Sequence, residues 1–174
     1  MRNIIFVALL MPAICSAQGE PLQFMSGSYD RVSVYGSSID GYGIGYMAVQ
    51  DNFSFSLNSS RFSEFGETIV LSSLGFDFGL GSFNDGAFYI GVGGSYAHVS
   101  FWDEATSLFT YSAGYSKRSG RGLDYDISAT HGDGETSFGF LLRGQIGEDG
   151  LGWTLGAATN GDNHSQTAGL NYQF

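Results

Sequence analysis

The last eight residues, Thr167-Ala-Gly-Leu-Asn-Tyr-Gln-Phe174, alternate without a break. Ala168, Leu170, Tyr172 and Phe174 fall on one face of a strand, and Thr167, Gly169, Asn171 and Gln173 on the other. A soluble domain usually leaves its last residues polar and loose. Here the final aromatic keeps phase with the apolar face, which implies that Phe174 is part of the fold.

Working back from this end, the same period of two recurs with turn chemistry between the runs. The apolar faces read Leu151, Trp153, Leu155, Ala157; Phe138, Phe140, Leu142, Ile146; Leu123, Tyr125, Ile127, Ala129; and Phe109, Tyr111, Ala113, Tyr115. Earlier come Phe88, Ile90, Val92, Tyr96; Val70, Leu74, Phe76, Phe78, Leu80; Phe53, Phe55, Leu57; and Tyr42, Ile44, Tyr46, Ala48. A weaker segment near 24–35, with Tyr29, Val32, Val34 and Tyr35, slips phase, and a bulge there would account for the slip. The reading is all-β with ten strands, or eight if the first hairpin is irregular. The connectors form two alternating sets. Asp51-Asn52, 81–86, 116–122 and 148–150 make one; 36–40, 61–67, 102–106, 131–135 and 161–165 make the other. An even strand count puts both termini on the side of the first set.

The first 17 of the 174 residues read as a secretory signal peptide: Arg2, an apolar run from Ile4 to Met11, Pro12, then small residues before Gln18. Residues 18–174 remain as one domain. The only cysteine, Cys15, leaves with the leader, so neither disulfides nor thiolate metal sites are expected. The remaining chain sets six Lys/Arg against 17 Asp/Glu, which argues against a nucleic-acid partner. No stretch after the leader approaches the ~20 apolar residues of a membrane helix, which leaves a membrane-crossing barrel open.

Alternation alone fits a soluble lipocalin-like barrel too, with its apolar face inward around an apolar ligand. The other face separates the two. Along 41–49, 53–60, 68–80 and 87–100 it is mostly Gly, Ser, Thr and Asn with one charge, Asp77. A well-behaved water-facing surface is roughly a quarter to a third charged, so this face suits a narrow, crowded lumen. Aromatics also gather towards strand ends. Phe53, Phe78, Phe88, Tyr115, Trp153 and Phe174 mark one rim; Tyr42, Tyr96, Phe109 and Phe138 mark the other. Two such rims are what the interfacial girdles of a transmembrane barrel require.

With those features in hand, the ending resembles the assembly signal of bacterial outer-membrane proteins: Thr167, Gly169, Tyr172 and Phe174 match its defined positions. The chain from 18 to 174 resembles the small OmpA/OmpX-like barrels, departing from that family's eight strands. The resemblance implies a monomer in the Gram-negative outer membrane, short periplasmic turns at the terminus side, loops outside, and a last strand read by the barrel-assembly machinery. It implies contact with lipid and lipopolysaccharide, which acidic loops could bridge through calcium or magnesium.

Arg143 is the one basic residue in the middle of a well-phased strand, on the inward face. Pairing around 131–135 would set it opposite Asp124 and near Asp126, with Asp77 at similar height. A buried arginine needs carboxylate partners, so the group is expected to form a salt-bridge plug or a gate on a narrow water path. His98, His131 and His164 sit at the loop end near Asp103, Glu104, Asp133, Glu135 and Asp162. No spacing among them repeats, so neither a metal site, a cofactor nor catalysis is expected. A rim-site enzyme would need a base within reach of a nucleophile; His98-Val99-Ser100 is too bare a match to lipid A deacylase motifs. The basic turn Lys117-Arg118-Ser119-Gly120-Arg121 reads as solvated, or touching lipid headgroups. The expected role is structural, or a narrow pore for ions and small solutes. Surface binding is the weaker alternative, because the loops are only a few residues each.

Overall fold

The computed structural model describes residues 22–34, 37–64, 67–100, 104–119, 122–161 and 163–174. The leader read at 1–17, with Cys15, lies outside them, as do Asp103, Asp162 and Arg121. Ten antiparallel strands close into one barrel: β1 (Leu22–Val34), β2 (Ser37–Gln50), β3 (Phe53–Glu64), β4 (Glu67–Gly79), β5 (Ala87–Val99), β6 (Glu104–Lys117), β7 (Leu123–Gly132), β8 (Glu135–Gln145), β9 (Leu151–Thr159) and β10 (His164–Gln173). Each strand pairs with its neighbours in sequence, and β10 returns to β1. The count is ten rather than eight.

Closure leaves no edge. At the seam, Phe24 stands opposite Gln173 and Ser33 opposite His164, in a register that runs without interruption. The β1–β2 register is equally continuous, from Leu22 against Val49 to Val34 against Ser37. The bulge expected near 24–35 is therefore absent. The phase slips because β1 carries apolar residues on both faces: Phe24 is buried inside the barrel, whereas Met25 and Tyr29 are exposed outside.

Turn chemistry at two tight connections explains their sharpness. Asp133 and Gly134 both take positive φ and join β7 to β8 as a two-residue hairpin. Asp51, also at positive φ, begins the equally short connection from β2 to β3. Away from the termini the connections are short. There the strands run on to leave only 35–36, 65–66, 100–103, 133–134 and 160–163, whereas the terminus side holds 80–86, 118–122 and 146–150.

The outward face is apolar. Tyr42, Ile44, Phe88, Ile90, Phe109, Phe138, Leu155 and Leu170 are all exposed, Ile44 at 73%. Aromatic contacts knit the terminus-side rim, where Phe53 meets Phe78 at 5.3 Å and Phe88 meets Tyr115 at 4.9 Å between ring centroids. Phe109 and Tyr111 pack edge to face at 5.0 Å towards the other rim. The buried apolar cluster is small and sits inside the barrel: Phe24, Met47, Val49, Phe83, Ala87 and Tyr89, with Leu22 against it. These residues come from the terminus-side ends of β1, β2 and β5 and from the 80–86 turn, so they fill that end of the lumen.

Candidate functional site: the lumen and its plug

The β4–β5 connection folds inward. Its Phe83 is 0% exposed, with its amide donating to the Asp51 carbonyl at 2.9 Å. The Phe83 carbonyl accepts from the Arg118 amide at 2.8 Å, which ties this turn to the one after β6. Arg118 itself turns back into the barrel. Its guanidinium lies 4.6 Å from the Phe83 ring centroid and 5.2 Å from that of Tyr89, an arrangement in which the ring faces attract the cation.

Around that guanidinium two cross-strand pairs converge. Ser54 of β3 stands opposite Asp77 of β4, and Ser116 of β6 opposite Asp126 of β7. Arg118 donates from Nη1 to Asp77 at 2.8 Å and to Ser54, from Nη2 to Asp126 at 2.7 Å, and from Nε to Ser116 at 2.7 Å. Ser54 in turn donates to Asp77 at 2.9 Å, and the Tyr89 hydroxyl to Asp126 at 3.1 Å. Gly91 of β5 makes this possible, since a side chain there would run into Asp77 and Ser112. The charges are buried, paired and hydrogen-bonded, the condition under which an ion pair inside a protein is tolerable.

The expected centre of this cluster, Arg143, is placed differently. The register does put it opposite Asp124. Its guanidinium, however, lies over the Phe24 ring at 5.7 Å, and the cation that holds Asp77 and Asp126 is Arg118. Asp124 is buried and accepts from the Ser119 amide and hydroxyl, both at 2.9 Å, bracing the turn that carries Arg118. The basic turn is thus not simply solvated, because Arg118 leaves it for the lumen. A sequence signal for this existed. Asp77 and Asp126 are inward carboxylates near the terminus end, and Lys117–Arg121 is the cationic segment beside them.

Above the plug lies a cavity of about 510 Å³, whose walls mix hydroxyl and amide side chains with apolar ones and include Arg118, Arg143, Asp30, Asp77 and Asp126. Asp30 of β1 accepts hydrogen bonds from Ser28 at 3.2 Å, from Ser60 at 2.6 Å and from Thr167. It reaches β3 across β2 because Gly43 leaves the space; a Cβ there would stand 2.6 Å from Ser28 Oγ and 2.7 Å from Ser60 Oγ. Thr167 therefore serves the lumen, whereas Tyr172 and Phe174 of the terminal pattern are exposed on the outer face.

The three histidines stay apart from this chemistry. His131 and His164 are exposed at the end away from the termini, and His131 Nδ1 lies 2.9 Å from the Thr136 hydroxyl. Glu135 accepts from the Asn160 side-chain amide at 2.7 Å. Among the described residues no three metal-ligating side chains come together.

No protein-family model matches this sequence, and no curated protein sequence matches it. Among solved structures, the chain is similar to Neisserial surface protein A at 11% identity and a TM-score of 0.41, with 88% of this chain and 97% of that one covered. It is similar to the KdgM porin at 9% identity and a TM-score of 0.43, covering 88% and 99%. It is also similar to Ail, the attachment invasion locus protein of Yersinia pestis, at 16% identity and a TM-score of 0.39, covering 90% and 99%.

Proposed function

We propose that the protein is an outer-membrane barrel that forms a narrow, gated pore for small solutes and rests in a closed state. The membrane part of this reading follows from the outer face. Soluble monomers rarely expose a contiguous apolar patch above a few hundred Å², whereas here every strand presents apolar side chains outward and aromatics gather at both rims. A closed barrel also satisfies its backbone internally, as a hydrocarbon setting demands.

The observation that carries the gate is that two turn residues, Phe83 and Arg118, complete a plug whose remaining side chains, among them Phe24, Met47, Val49 and Tyr89, come from strand ends. Strand positions are locked by the ladder; a turn can swing out at the cost of a few hydrogen bonds and one ion-pair group. Above it the lumen keeps a cavity of about 510 Å³ that carries charged and hydroxyl groups. In this reading the 164–174 strand is the piece recognised by the barrel-assembly machinery, lipopolysaccharide surrounds the outer rim, and the protein acts as a monomer without enzymatic activity.

Single-channel recording in planar bilayers tests the proposal. The refolded wild type should be silent or open rarely, while Arg118→Ala and, independently, Phe83→Ala should give small discrete steps. Silence from all three, each shown folded by heat-modifiable gel mobility, would leave a structural envelope role instead.

A further inference from the structure

We infer that the lumen binds a small hydroxylated carboxylate at Arg143, a ligand assignment that rests on reading the lumen as a solute path. Hydrogen bonds within the protein already occupy most of the charged groups that line the lumen. Each carboxylate lining the cavity already holds donors: Asp77 those of Ser54 and Arg118, Asp126 those of Tyr89 and Arg118, and Asp30 the hydroxyls of Ser28, Ser60 and Thr167. The Arg118 fork is spent on four acceptors. Arg143 is the exception. Among the described residues no acceptor takes its hydrogen bonds; the charges of Asp124 and Asp126 act on it, and its ring contact is Phe24.

That placement orients the group. Arg143 stands two residues from the terminus-side end of β8, and its guanidinium reaches Phe24 of β1, so it extends over the apolar plug as the floor of the cavity. Its Cζ lies 5.7 Å from the ring centroid, and its N–H donors stay available to an acceptor in the cavity. A carboxylate matches a guanidinium edge in bidentate fashion better than a spherical anion does. The walls add hydroxyl and amide groups, among them Thr154, which stands opposite Arg143, and Asn171, whose amide donates to the Thr154 hydroxyl at 2.9 Å. A cavity of about 510 Å³ lies within the ~300–1,000 Å³ of small-molecule sites. Hydroxyls on the ligand suit these walls. Asp30, Asp77 and Asp126 in the same space oppose a second negative charge, so the site selects monoanions.

The test is equilibrium binding to wild-type protein refolded in micelles, by calorimetry and saturation-transfer NMR, with gluconate as the probe. Sorbitol, its uncharged counterpart, and citrate, a polyanion, serve as controls. Gluconate should bind saturably in the millimolar range, at least tenfold more tightly than either control. Arg143→Gln should abolish the preference over sorbitol, and Arg143→Lys should retain part of it, both with wild-type heat-modifiable mobility. Equal gluconate binding by wild type and Arg143→Gln would overturn the assignment, as would no saturable binding to folded wild type. Silent bilayers in every gate variant would refute the pore alone, because binding is read here without conduction.

Discussion

Gly169 lies where β10 closes on β1, and a Cβ at that position would run into the Gly27 carbonyl oxygen and within 2.9 Å of the Ser28 Cα. Backbone cannot rotate aside as a side chain can. Gly169→Ala should therefore destabilise the barrel by about 1–3 kcal/mol, in the range of other overpacked sites. Gly27→Ala, whose Cβ would meet nothing within 4 Å, should stay within about 0.5 kcal/mol, as surface changes usually do. Urea unfolding in lipid vesicles, followed by tryptophan fluorescence, distinguishes the two. Arg118 is the other decisive single residue. Its removal leaves Asp77 and Asp126 without their cation, so Arg118→Ala should cost about 3–5 kcal/mol. Adding Asp77→Asn and Asp126→Asn should recover part of that loss; no recovery in the triple variant would mean that Arg118 acts by packing on Phe83 and Tyr89 instead. At this scale the sequence was partly legible. The inward aspartates followed from the period of two, and the basic segment 117–121 lay beside them, but which cation would pair with them could not be read. A turn residue has no period, and nothing local says that Arg118 bends into the barrel.

Strands are the scale at which solvent preference is written. On β5, Phe88, Ile90 and Val92 point outward and Ala87, Tyr89 and Gly91 inward, so adjacent residues report on opposite environments. Ile90→Arg near the middle of an apolar belt should cost about 2–4 kcal/mol in vesicles if that belt faces lipid. A change within about 0.5 kcal/mol would instead describe a water-facing surface, and the membrane reading would fail. The alternation that makes this prediction possible was readable on nine strands. It failed on β1, where inward Phe24 and outward Met25 and Tyr29 leave both faces apolar. That mixture has a reason: the terminus end of the lumen is filled by side chains, so strand ends there bury apolar residues on the inside as well.

For the whole molecule, closure is the step on which the rest depends. The seam between β1 and β10 is stitched by the ladder, by Thr167 donating to Asp30, and at its end by the Phe174 amide donating to the Gln23 carbonyl at 3.1 Å. Deleting Phe174 removes that last bond together with an outward aromatic at the terminus-side rim, where it stacks with Tyr172. The truncated chain should fold into vesicles several-fold more slowly than wild type, with a smaller loss in equilibrium stability. Stopped-flow fluorescence and urea titration measure the two quantities separately. An unchanged folding rate would remove Phe174 from the closing step.

What the sequence by itself determined was the class of object: an all-β chain with a period of two, an apolar face, a small polar face and aromatics at the strand ends. Those features are local, because each side chain's direction follows from its own strand and the demand of one face for lipid or core is met residue by residue. The tertiary structure alone decided what fills the lumen. Whether Arg118 or Arg143 takes Asp77 and Asp126 depends on which guanidinium arrives from across the barrel, and on glycines at 43 and 91 that leave room for the carboxylates. Distances across a closed ring are set by the register of all ten strands together, and no one strand's sequence contains them.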